Sequence, residues 1–339
     1  MKEIRWGFIG CGKVVENKSG PAFNTVEKSS IYAVMRRDIE KAENSAKKLG
    51  AAKWYDNVDD LLNDEAINAV YIATPPGLHL EQATKCCLAK KATYIEKPFA
   101  RNYNEAFQIV KMFEEAHVPL YVAHYRRALP KFIKVKELID SGVIGNVCEV
   151  DFRLNRKFNR EEALETWLYN TEISGGGKFY DIAPHTIDIM VYLFGNFVDI
   201  KGIATNNNEE YKVEDIVAMI FKTEKGIVGT ANFNALALDK KDAMVVNGTK
   251  GKIEFSIHGN VPIVITTNDG IETIEIKDPD VIQEDMVKNV VESLLIGEHL
   301  HTCSGVEALE TSRIMDEVLK DYYNGRDDDF WNRKDSWNH

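Results

Sequence analysis

The sequence predicts two domains of different classes. Over residues 1–123, short apolar runs alternate with helical patterns, which is typical of an α/β domain with a doubly wound parallel sheet. From residue 145 onward, strand patterns follow one another at turn spacing, which indicates an α+β domain with a large, mostly antiparallel open sheet. A length of 339 residues also suits two hydrophobic cores. We therefore predict domains at 1–123 and 124–339.

Composition narrows the functional class. The chain is 44% hydrophobic and 28% charged, and its net charge of −11 argues against a nucleic-acid partner. No apolar run approaches the ~18 residues of a membrane span, and the apolar run near the N-terminus is too short for a signal peptide. The odd count of cysteines, without a Cys-x-x-Cys pair, indicates reduced core residues. We expect a soluble, cytoplasmic protein.

The first predicted strand, residues 4–9, leads into a glycine turn with the sequence GCGKVV at residues 10–15. This is a dinucleotide fingerprint whose third glycine is replaced by Val15. The first two glycines permit a tight turn and the approach of backbone N–H groups to a pyrophosphate, whereas the third only tightens helix packing. The pattern predicts cofactor contacts at Gly10, Gly12, Lys13 and Val14. A glycine turn without a ligand is the alternative.

The second predicted strand, residues 32–35, ends at Arg36 and Arg37. At this position an NAD site usually has an acid that binds the ribose 2′-hydroxyl, whereas a 2′-phosphate favours arginine. The two arginines therefore predict a cofactor site that prefers NADP over NAD. Alternatively, both simply begin a charged surface helix over residues 38–48.

Two further strand ends carry polar or proline-rich turns. The strand at 69–73 runs into Thr74, Pro75 and a helix at 78–90, in which His79 is a structural or cofactor-edge residue. The short strand at 93–95 stops at Glu96-Lys97-Pro98. Because open α/β sheets bind ligands at the carboxyl ends of their strands, Lys97 is the first catalytic candidate. The alternative is a solvated turn. A helix at 102–117 and a strand at 120–123 complete the domain.

The second domain has a simple predicted layout. After a helix at 129–141, strands are expected at 146–156, 198–204, 214–222, 227–235, 243–248, 252–257 and 262–267, and helices at 176–193, 281–296 and 305–322. These helices suffice for one face of a seven-stranded sheet, and an uncovered apolar face usually finds a partner. We therefore expect a homodimer or homotetramer. A tail from residue 327 contains Phe330, Trp331 and Trp337, which are able to dock it.

A glycine-rich segment precedes the next catalytic candidates. Asp181 and His185 are four residues apart, so on a helix they share one face. A carboxylate there can orient the imidazole or raise its pKa, as proton transfer requires. Pro184 suggests that the helix begins around it, and glycines 175–177 suggest space for a ligand or lid. The alternatives are a surface pair, or a metal site that includes Asp188; we predict no metal, because no cysteine or second histidine is near in sequence.

Three segments in this order, residues 7–12, 73–79 and 96–98, resemble the glucose–fructose oxidoreductase, inositol dehydrogenase and rhizopine catabolism family, written Gfo/Idh/MocA. The segment 175–188 is similar to the family pattern Gly-Gly-Gly, Asp-x-x-x-His, Asp, with Ala183 where glycine is usual. The resemblance implies a Rossmann domain and a cis peptide bond before Pro98. It also implies pairing of subunits through the second domain's sheet.

The resemblance also implies roles for individual residues. It assigns Lys97, Asp181 and His185 to a reaction centre at the nicotinamide and to substrate binding. It places Tyr125 and Arg126 beside the substrate, although these could instead belong to an interdomain arginine clamp. Cofactor contacts are implied at Thr74, Pro75, His79, Glu96 and Lys97.

The implied activity is an NAD(P)-dependent oxidoreductase that moves a hydride between the nicotinamide and a carbinol or carbonyl carbon of a sugar, inositol or related polyol. His185 or Lys97 transfers the proton, and Lys97 as a cation stabilises the developing alkoxide. Two alternatives stay open: a non-catalytic, dinucleotide-responsive regulator, and a reductase of a biliverdin or dihydrodiol type of substrate. Presence of all three candidate residues disfavours the regulator, and a flat apolar pocket would favour the reductase.

Overall fold

A computed structural model describes residues 2–157, 167–208 and 210–338. The chain forms two units, each with its own sheet. The first consists of Met1–Ala100, Glu105–Leu129 and Pro279–Leu309, and the second of Arg101–Asn104, Pro130–Asp278 and Glu310–His339. We predicted a single boundary after residue 123, whereas the units are discontinuous because a C-terminal segment packs with the first unit.

The elements are as follows. The helices are α1 (Ala22–Thr25), α2 (Ile39–Leu49), α3 (Val58–Leu62), α4 (His79–Leu88), α5 (Tyr103–Ala116), α6 (Pro130–Asp140), α7 (Thr171–Ser174), α8 (Lys178–Phe194), α9 (Glu284–Ile296) and α10 (Gly305–Tyr323). The strands of the first unit are β1 (Ile4–Ile9), β2 (Ser29–Met35), β3 (Lys53–Tyr55), β4 (Ala69–Ile72), β5 (Ala92–Ile95) and β6 (Leu120–Val122). A π-helical turn, Val15–Ser19, precedes α1 and interrupts the first crossover.

The first sheet has the order β3-β2-β1-β4-β5-β6, and every neighbouring pair is parallel. The strand order reverses between β1 and β4, which creates the switch point where such sheets bind ligands. The predicted doubly wound sheet is therefore confirmed. The carboxyl ends of β1, β4 and β5 lie side by side at this edge.

The core of the first unit explains why a C-terminal segment belongs to it. One face of the sheet carries a cluster of buried aromatic side chains, Trp6, Phe8, Phe23, Tyr71 and Tyr94. Neighbouring rings in this cluster lie edge to face or tilted, with centroids 4.8–6.2 Å apart. Apolar residues of α9 pack against the same cluster. Because α9 buries this side of the sheet, it folds with the first unit although it lies about 160 residues after β6 in the chain.

The second sheet consists of β7 (Val147–Asn155), β8 (Phe197–Thr205), β9 (Ile216–Thr223), β10 (Val228–Asn234), β11 (Lys241–Gly248), β12 (Gly251–Phe255), β13 (Ile263–Thr267) and β14 (Gly270–Ile274). Its order is β14-β13-β12-β11-β7-β10-β9-β8, and only the β7–β10 pair is parallel. The predicted antiparallel character is confirmed. The prediction missed β14, a largely exposed edge strand with little apolar pattern.

One face of this sheet is covered by helices. Phe132 of α6 lies 6.3 Å from Phe255, and Phe179 of α8 lies 4.9 Å from Phe233, between ring centroids. Gly202 of β8 packs so closely on α10 that an added Cβ would lie 2.3 Å from the Val318 carbonyl oxygen. The opposite face exposes apolar side chains at Ile203, Ile220, Val228 and Ile271.

The C-terminal tail docks within the second unit. Trp337 is buried, and its indole N–H donates a hydrogen bond of 3.0 Å to the Phe330 carbonyl oxygen. Trp331 is also buried, and its ring centroid is 3.8 Å from the guanidinium carbon of Arg101.

The cysteines correct one expectation. All five are free thiols, and four are buried, but Cys148 on β7 is exposed. The apolar segment that carries it is an alternating strand, so every second side chain faces outward. Within the described ranges, no helix combines the length and the apolar character that crossing a membrane requires.

Candidate active site

The glycine turn after β1 fits a dinucleotide. Gly10 has φ of +84°, and an added Cβ would lie 2.6 Å from the Thr74 methyl group, so the fold itself requires this glycine. Gly12 differs, because an added Cβ would meet no atom within 4 Å. The space above Gly12 matches the close approach of a pyrophosphate to the backbone. Lys13 and Val14 are both exposed beside it.

Arg36 lies at the end of β2 in a polar cluster. Its Nη1 lies 2.9 Å from the Ser45 hydroxyl and 3.5 Å from a Glu16 carboxylate oxygen. Lys48 also binds Glu16, at 2.8 Å. Burial alone would raise the pKa of Glu16, but hydrogen bonds from Lys48 and Ser45 outweigh it, and the pKa is lowered. Glu16 is therefore ionised, and its carboxylate contacts two cations, Arg36 and Lys48. Arg37 is exposed in the bend between β2 and α2.

His79 lies beneath the turn that follows β4. Its Nε2 is 2.8 Å from the Thr74 carbonyl oxygen and its Nδ1 is 3.0 Å from the Phe99 carbonyl oxygen. The ring is fully buried, and burial lowers its pKa. His79 thus lies between the turn after β4 and the turn after β5, within hydrogen-bond distance of a carbonyl oxygen of each. Pro75, half-buried, precedes the same short turn.

The Glu96-Lys97-Pro98 turn follows β5, and its Lys97–Pro98 bond is cis. Glu96 accepts three hydrogen bonds, from the Tyr71 hydroxyl at 2.5 Å, the Gln283 amide at 2.9 Å and the Lys97 backbone N–H at 3.1 Å. Burial, followed by the charge of Glu96, raises the pKa of Tyr71 well above its usual range, so Tyr71 stays a donor. These bonds fix the acid beside Lys97, which is itself half-buried.

Sequence reasoning missed Tyr71 and Gln283 as supports of this turn. Tyr71 reads as an ordinary apolar strand residue. Gln283 lies 187 positions from Glu96, at the start of α9, and no motif marks it. A polar residue immediately before an apolar helix is a weak signal, because such residues usually cap the helix.

Tyr125 and Arg126 lie in a short 3₁₀ turn, Tyr125–Ala128, after β6. Both side chains are half-buried, and the Arg126 guanidinium carbon is 5.4 Å from the centroid of the Tyr125 ring. The neighbouring Arg127 is buried and pairs with Glu307 at 3.2 Å. Of the two adjacent arginines, Arg127 is thus anchored inside the first unit.

In the second unit, α8 carries Asp181 and His185 on one continuous helix. The expected start near Pro184 is wrong, because α8 begins at Lys178 and Pro184 lies inside it. Thirteen of its seventeen residues are buried, and this packing outweighs the backbone hydrogen bond that proline cannot make. His185 is buried, whereas Asp181 is half-buried with its carboxylate 4.0 Å from the Lys178 ammonium.

The N-terminus of α8 is held by a buried carboxylate. Glu214 is fully buried and accepts hydrogen bonds from the backbone N–H groups of Gly177, at 2.7 Å, and Tyr180, at 3.4 Å. The Tyr323 hydroxyl also donates to this carboxylate. The buried guanidinium of Arg326 donates to the Gly175 carbonyl oxygen at 2.8 Å. None of these partners was predicted from the sequence.

We expected the glycines before α8 to leave space for a ligand or lid, but they do not. An added Cβ would lie 2.5 Å from the Arg101 carbonyl oxygen at Gly175, 2.7 Å from the Tyr180 Cβ at Gly176, and 2.5 Å from the Glu214 carbonyl oxygen at Gly177. Neighbouring backbone and side chains already fill these positions. The glycines permit close packing of the turn, not access to it.

The structure therefore groups the predicted residues by unit. Gly10 and the turns at Thr74 and Glu96 lie on one edge of the first sheet, and Asp181 and His185 lie on α8 of the second unit. Across the described ranges, no cluster of three or more histidine, cysteine, aspartate or glutamate side chains is arranged to hold a metal. The structure does bring a second histidine, His258, to 6.1 Å from His185 between ring centroids.

The glycine turn after β1 and the lysine after β5, two strands further along the same sheet edge, fit an oxidoreductase of the NAD-binding class. Residues 4–124 match the family profile described as "Oxidoreductase family, NAD-binding Rossmann fold", and residues 132–254 match that of the "GFO/IDH/MocA C-terminal domain". This chain belongs to the Gfo/Idh/MocA family, and it is an oxidoreductase.

Several known proteins are similar to the chain. Oxidoreductase P35 of Formosa agariphila is 40% identical over 316 residues, which span 92% of this chain and 97% of that protein. Myo-inositol 2-dehydrogenase of Thermotoga maritima is 25% identical over 277 residues, covering 79% of each. The structure of levoglucosan dehydrogenase in complex with NADH and levoglucosan has a TM-score of 0.85 at 20% identity and covers 94% of this chain and 96% of that one, which shows a shared fold.

Proposed function

We propose that this protein is an NADP(H)-preferring dehydrogenase or reductase that acts on a CH–OH group of a sugar, inositol or related polyol. The observation that carries the proposal is the position of Lys97. It follows β5, and only β4 separates that strand from β1 and its glycine turn. Because a bound dinucleotide lies along this sheet edge, its reactive ring is expected near Lys97. The family membership and the inositol dehydrogenase relative support the substrate class.

In this proposal, Lys97, Asp181 and His185 form the reaction centre. The nicotinamide, when bound, supplies or accepts the two electrons of the reaction. The ammonium group of Lys97 stabilises negative charge on the substrate oxygen. His185 or Lys97 transfers the proton, and Asp181, four residues before His185 on α8, orients the imidazole. Tyr125 and Arg126 bind the remainder of the substrate.

The remaining residues hold the cofactor. Gly10, Gly12, Lys13 and Val14 bind its pyrophosphate, and Thr74, Pro75 and Glu96 line its nicotinamide half. Glu96 is well suited to a ribose hydroxyl, because Tyr71 and Gln283 fix its carboxylate. His79 supports these turns from below.

The preference for NADP rests on the cluster around Arg36. Its guanidinium is oriented by Ser45 and Glu16, and Lys48 balances the charge of Glu16. A 2′-phosphate at the end of β2 would meet Arg36 and the exposed Arg37 with net positive charge remaining. A charge-assisted hydrogen bond contributes roughly 1.5–3 kcal/mol, or about ten- to a hundredfold in affinity.

We also propose a cytoplasmic homodimer or homotetramer that pairs through the open face of the second sheet. The strand register places Ile203, Ile220, Val228 and Ile271 on one face, and each is more than half exposed. Exposed apolar residues on an uncovered sheet face are often buried by a second copy of the chain. The five free thiols suit a reducing compartment.

The primary test is a panel of sugars, inositols, sugar lactones and a trans-dihydrodiol with NAD(H) and NADP(H), followed by absorbance at the nicotinamide band. We expect turnover of a sugar or inositol. Turnover of the dihydrodiol alone would favour the aromatic-substrate alternative. Cofactor binding without turnover of any compound would favour a non-catalytic regulator.

Variants of the reaction centre test its residues directly. Lys97→Ala and His185→Ala should each lower kcat by about 10²–10⁴-fold, the usual effect of losing a proton-transfer group, while dinucleotide Kd changes only a few-fold. The double variant should be little worse than either single one, because the two act as a unit. Lys47→Ala, at an exposed lysine of α2, is the control. Near-normal turnover by Lys97→Ala would show that the Glu96-Lys97-Pro98 turn is only structural.

A further inference from the structure

His258 lies beside His185 in the second unit. The two ring centroids are 6.1 Å apart, and the ring planes meet at 71°. His258 Nε2 is 3.2 Å from the hydroxyl of Thr186, the residue that follows His185 on α8. His258 belongs to the loop after β12, so 73 residues of sequence separate the pair. Spacing alone therefore gave no sign that the histidines meet.

The loop that carries His258 is held rigidly. The Asp242 carboxylate on β11 accepts three successive backbone N–H groups, from Ile257 at 3.0 Å and from His258 and Gly259 at 2.7 Å each. Three aligned donors around one carboxylate fix the backbone on both sides of His258. The imidazole therefore starts from a fixed point rather than from a mobile loop.

A buried lysine holds the same loop from the other side. Lys131 of α6 is 3% exposed, and its ammonium group donates to the Ser256 hydroxyl at 3.2 Å and to the Gly259 carbonyl oxygen at 2.5 Å. Burying a cation is costly, so two well-formed bonds to one short loop indicate that the loop conformation matters. Together, Asp242 and Lys131 preorganise His258 in the way that binding sites require.

We propose that His258 contacts substrate and that, with His185, it binds two hydroxyl groups on neighbouring carbons. This rests on the proposed function, and it deepens that function by assigning the substrate class as vicinal diols. In this arrangement one nitrogen of each imidazole lies about 2.7–3.2 Å from a substrate hydroxyl oxygen. With centroids 6.1 Å apart, the two rings are close enough to contact hydroxyl groups on adjacent carbons of one substrate. His185 binds the reacting hydroxyl, and His258 binds its neighbour.

A purely structural role makes a different prediction. If the bond between His258 and Thr186 only docks the loop on α8, replacing His258 would slow every substrate by the same factor. If His258 binds the neighbouring hydroxyl, the loss would depend on whether the substrate carries that hydroxyl. A thermodynamic cycle, in which His258 is replaced in the enzyme and the neighbouring hydroxyl is removed from the substrate, separates the structural role from the binding role.

The experiment compares the wild-type protein with His258→Ala and His258→Asn on two substrate pairs, D-glucose with 2-deoxy-D-glucose and myo-inositol with a deoxyinositol. The matched control is His117→Asn, at an exposed histidine of the first unit whose φ of +52° suits asparagine. We expect wild type to favour the hydroxylated member in kcat/KM by about ten- to a hundredfold or more. His258→Ala should reduce this ratio at least about tenfold, by slowing the hydroxylated substrate alone, with cofactor Kd unchanged.

Calorimetric binding of the same compounds to the protein with its oxidised cofactor separates failure of this inference from failure of the proposed function. Turnover with an unchanged ratio in both His258 variants would overturn the inference and leave the function intact. Diol binding that is lost in His258→Ala, without turnover by wild type, would support the inference and refute the function. A wild-type protein that neither binds nor converts any of the four compounds would overturn both.

Discussion

The buried carboxylate at the start of α8 yields a prediction that can be worked out in detail. In Glu214→Ala, the backbone N–H groups of Gly177 and Tyr180 and the Tyr323 hydroxyl lose a common acceptor inside the protein. A buried donor left unsatisfied costs about 1–3 kcal/mol, and the longer 3.4 Å bond contributes least. We expect Glu214→Ala to lower the free energy of unfolding by about 3–5 kcal/mol, a large part of the ~5–15 kcal/mol of a typical domain.

Glu214→Gln is the matched comparison, because glutamine keeps an acceptor for the backbone N–H groups and removes the charge. It should cost only about 1–2 kcal/mol. Tyr323→Phe, which removes one donor and leaves the carboxylate in place, should cost a similar amount. The free energy is measured by urea unfolding followed by tryptophan fluorescence, and local opening by hydrogen exchange of the Gly177 amide.

The pH dependence has a definite sign. Burial raises the pKa of the Glu214 carboxyl above its ordinary value of 4.5, although hydrogen bonds from Tyr323 and Gly177 oppose the shift. The folded protein thus holds this proton more tightly than the unfolded chain, so the carboxyl favours folding most at low pH. Relative to Glu214→Gln, wild-type stability should decline as pH rises from about 4.5 and level off above the folded pKa. A difference that grows with pH, or an unchanged unfolding midpoint in Glu214→Ala, would refute the reasoning.

Three further predictions follow from the contacts described above. Arg36→Asp should weaken NADP(H) binding by about ten- to a hundredfold and reverse or erase the preference over NAD(H). The control, Lys47→Asp on the exposed side of α2, should leave the preference unchanged. Equal affinities for the two cofactors in the unmutated protein would contradict the proposed role of Arg36. Gln283→Ala should raise dinucleotide Kd several-fold by releasing Glu96 while Tm changes little, and an unaltered Kd would count against its supporting role. Ile220→Lys on the open sheet face should reduce the mass found by light scattering at micromolar concentration, and a wild-type monomer would refute the proposed pairing.

The elements that the sequence predicted well are those whose signals are local. β1 has a buried apolar run followed by a glycine turn, and β5 stops at an acid, a base and a proline, so both strand ends could be read directly. The strands of the second sheet alternate buried and exposed residues, which a period-two pattern reveals. β14 was not predicted because it is an exposed edge strand without that pattern.

The predicted start of α8 near Pro184 was wrong because the position of a proline does not show how distant residues stabilise a helix. Proline inside a helix normally marks its beginning or a break. Here Glu214, which lies 37 positions after Gly177, accepts the N–H groups at the true start of the helix. Glu214 also closes the space at Gly177, where its carbonyl oxygen would lie 2.5 Å from an added Cβ. Neither fact can be read from the segment alone.

Three residues that support the candidate catalytic residues come from the C-terminal part of the chain, far in sequence from the residues they contact. In the first unit, Gln283 at the start of α9 fixes Glu96 beside Lys97. In the second unit, Tyr323 and Arg326 hold the carboxylate and the glycine turn in front of α8. All three lie in the last sixty residues, beyond the segments that carry recognisable motifs. Loss of the chain after residue 320 would therefore leave every motif residue present and remove the contacts that position Asp181 and His185. Intact motifs in a related sequence consequently do not establish an assembled site unless these C-terminal partners are present as well.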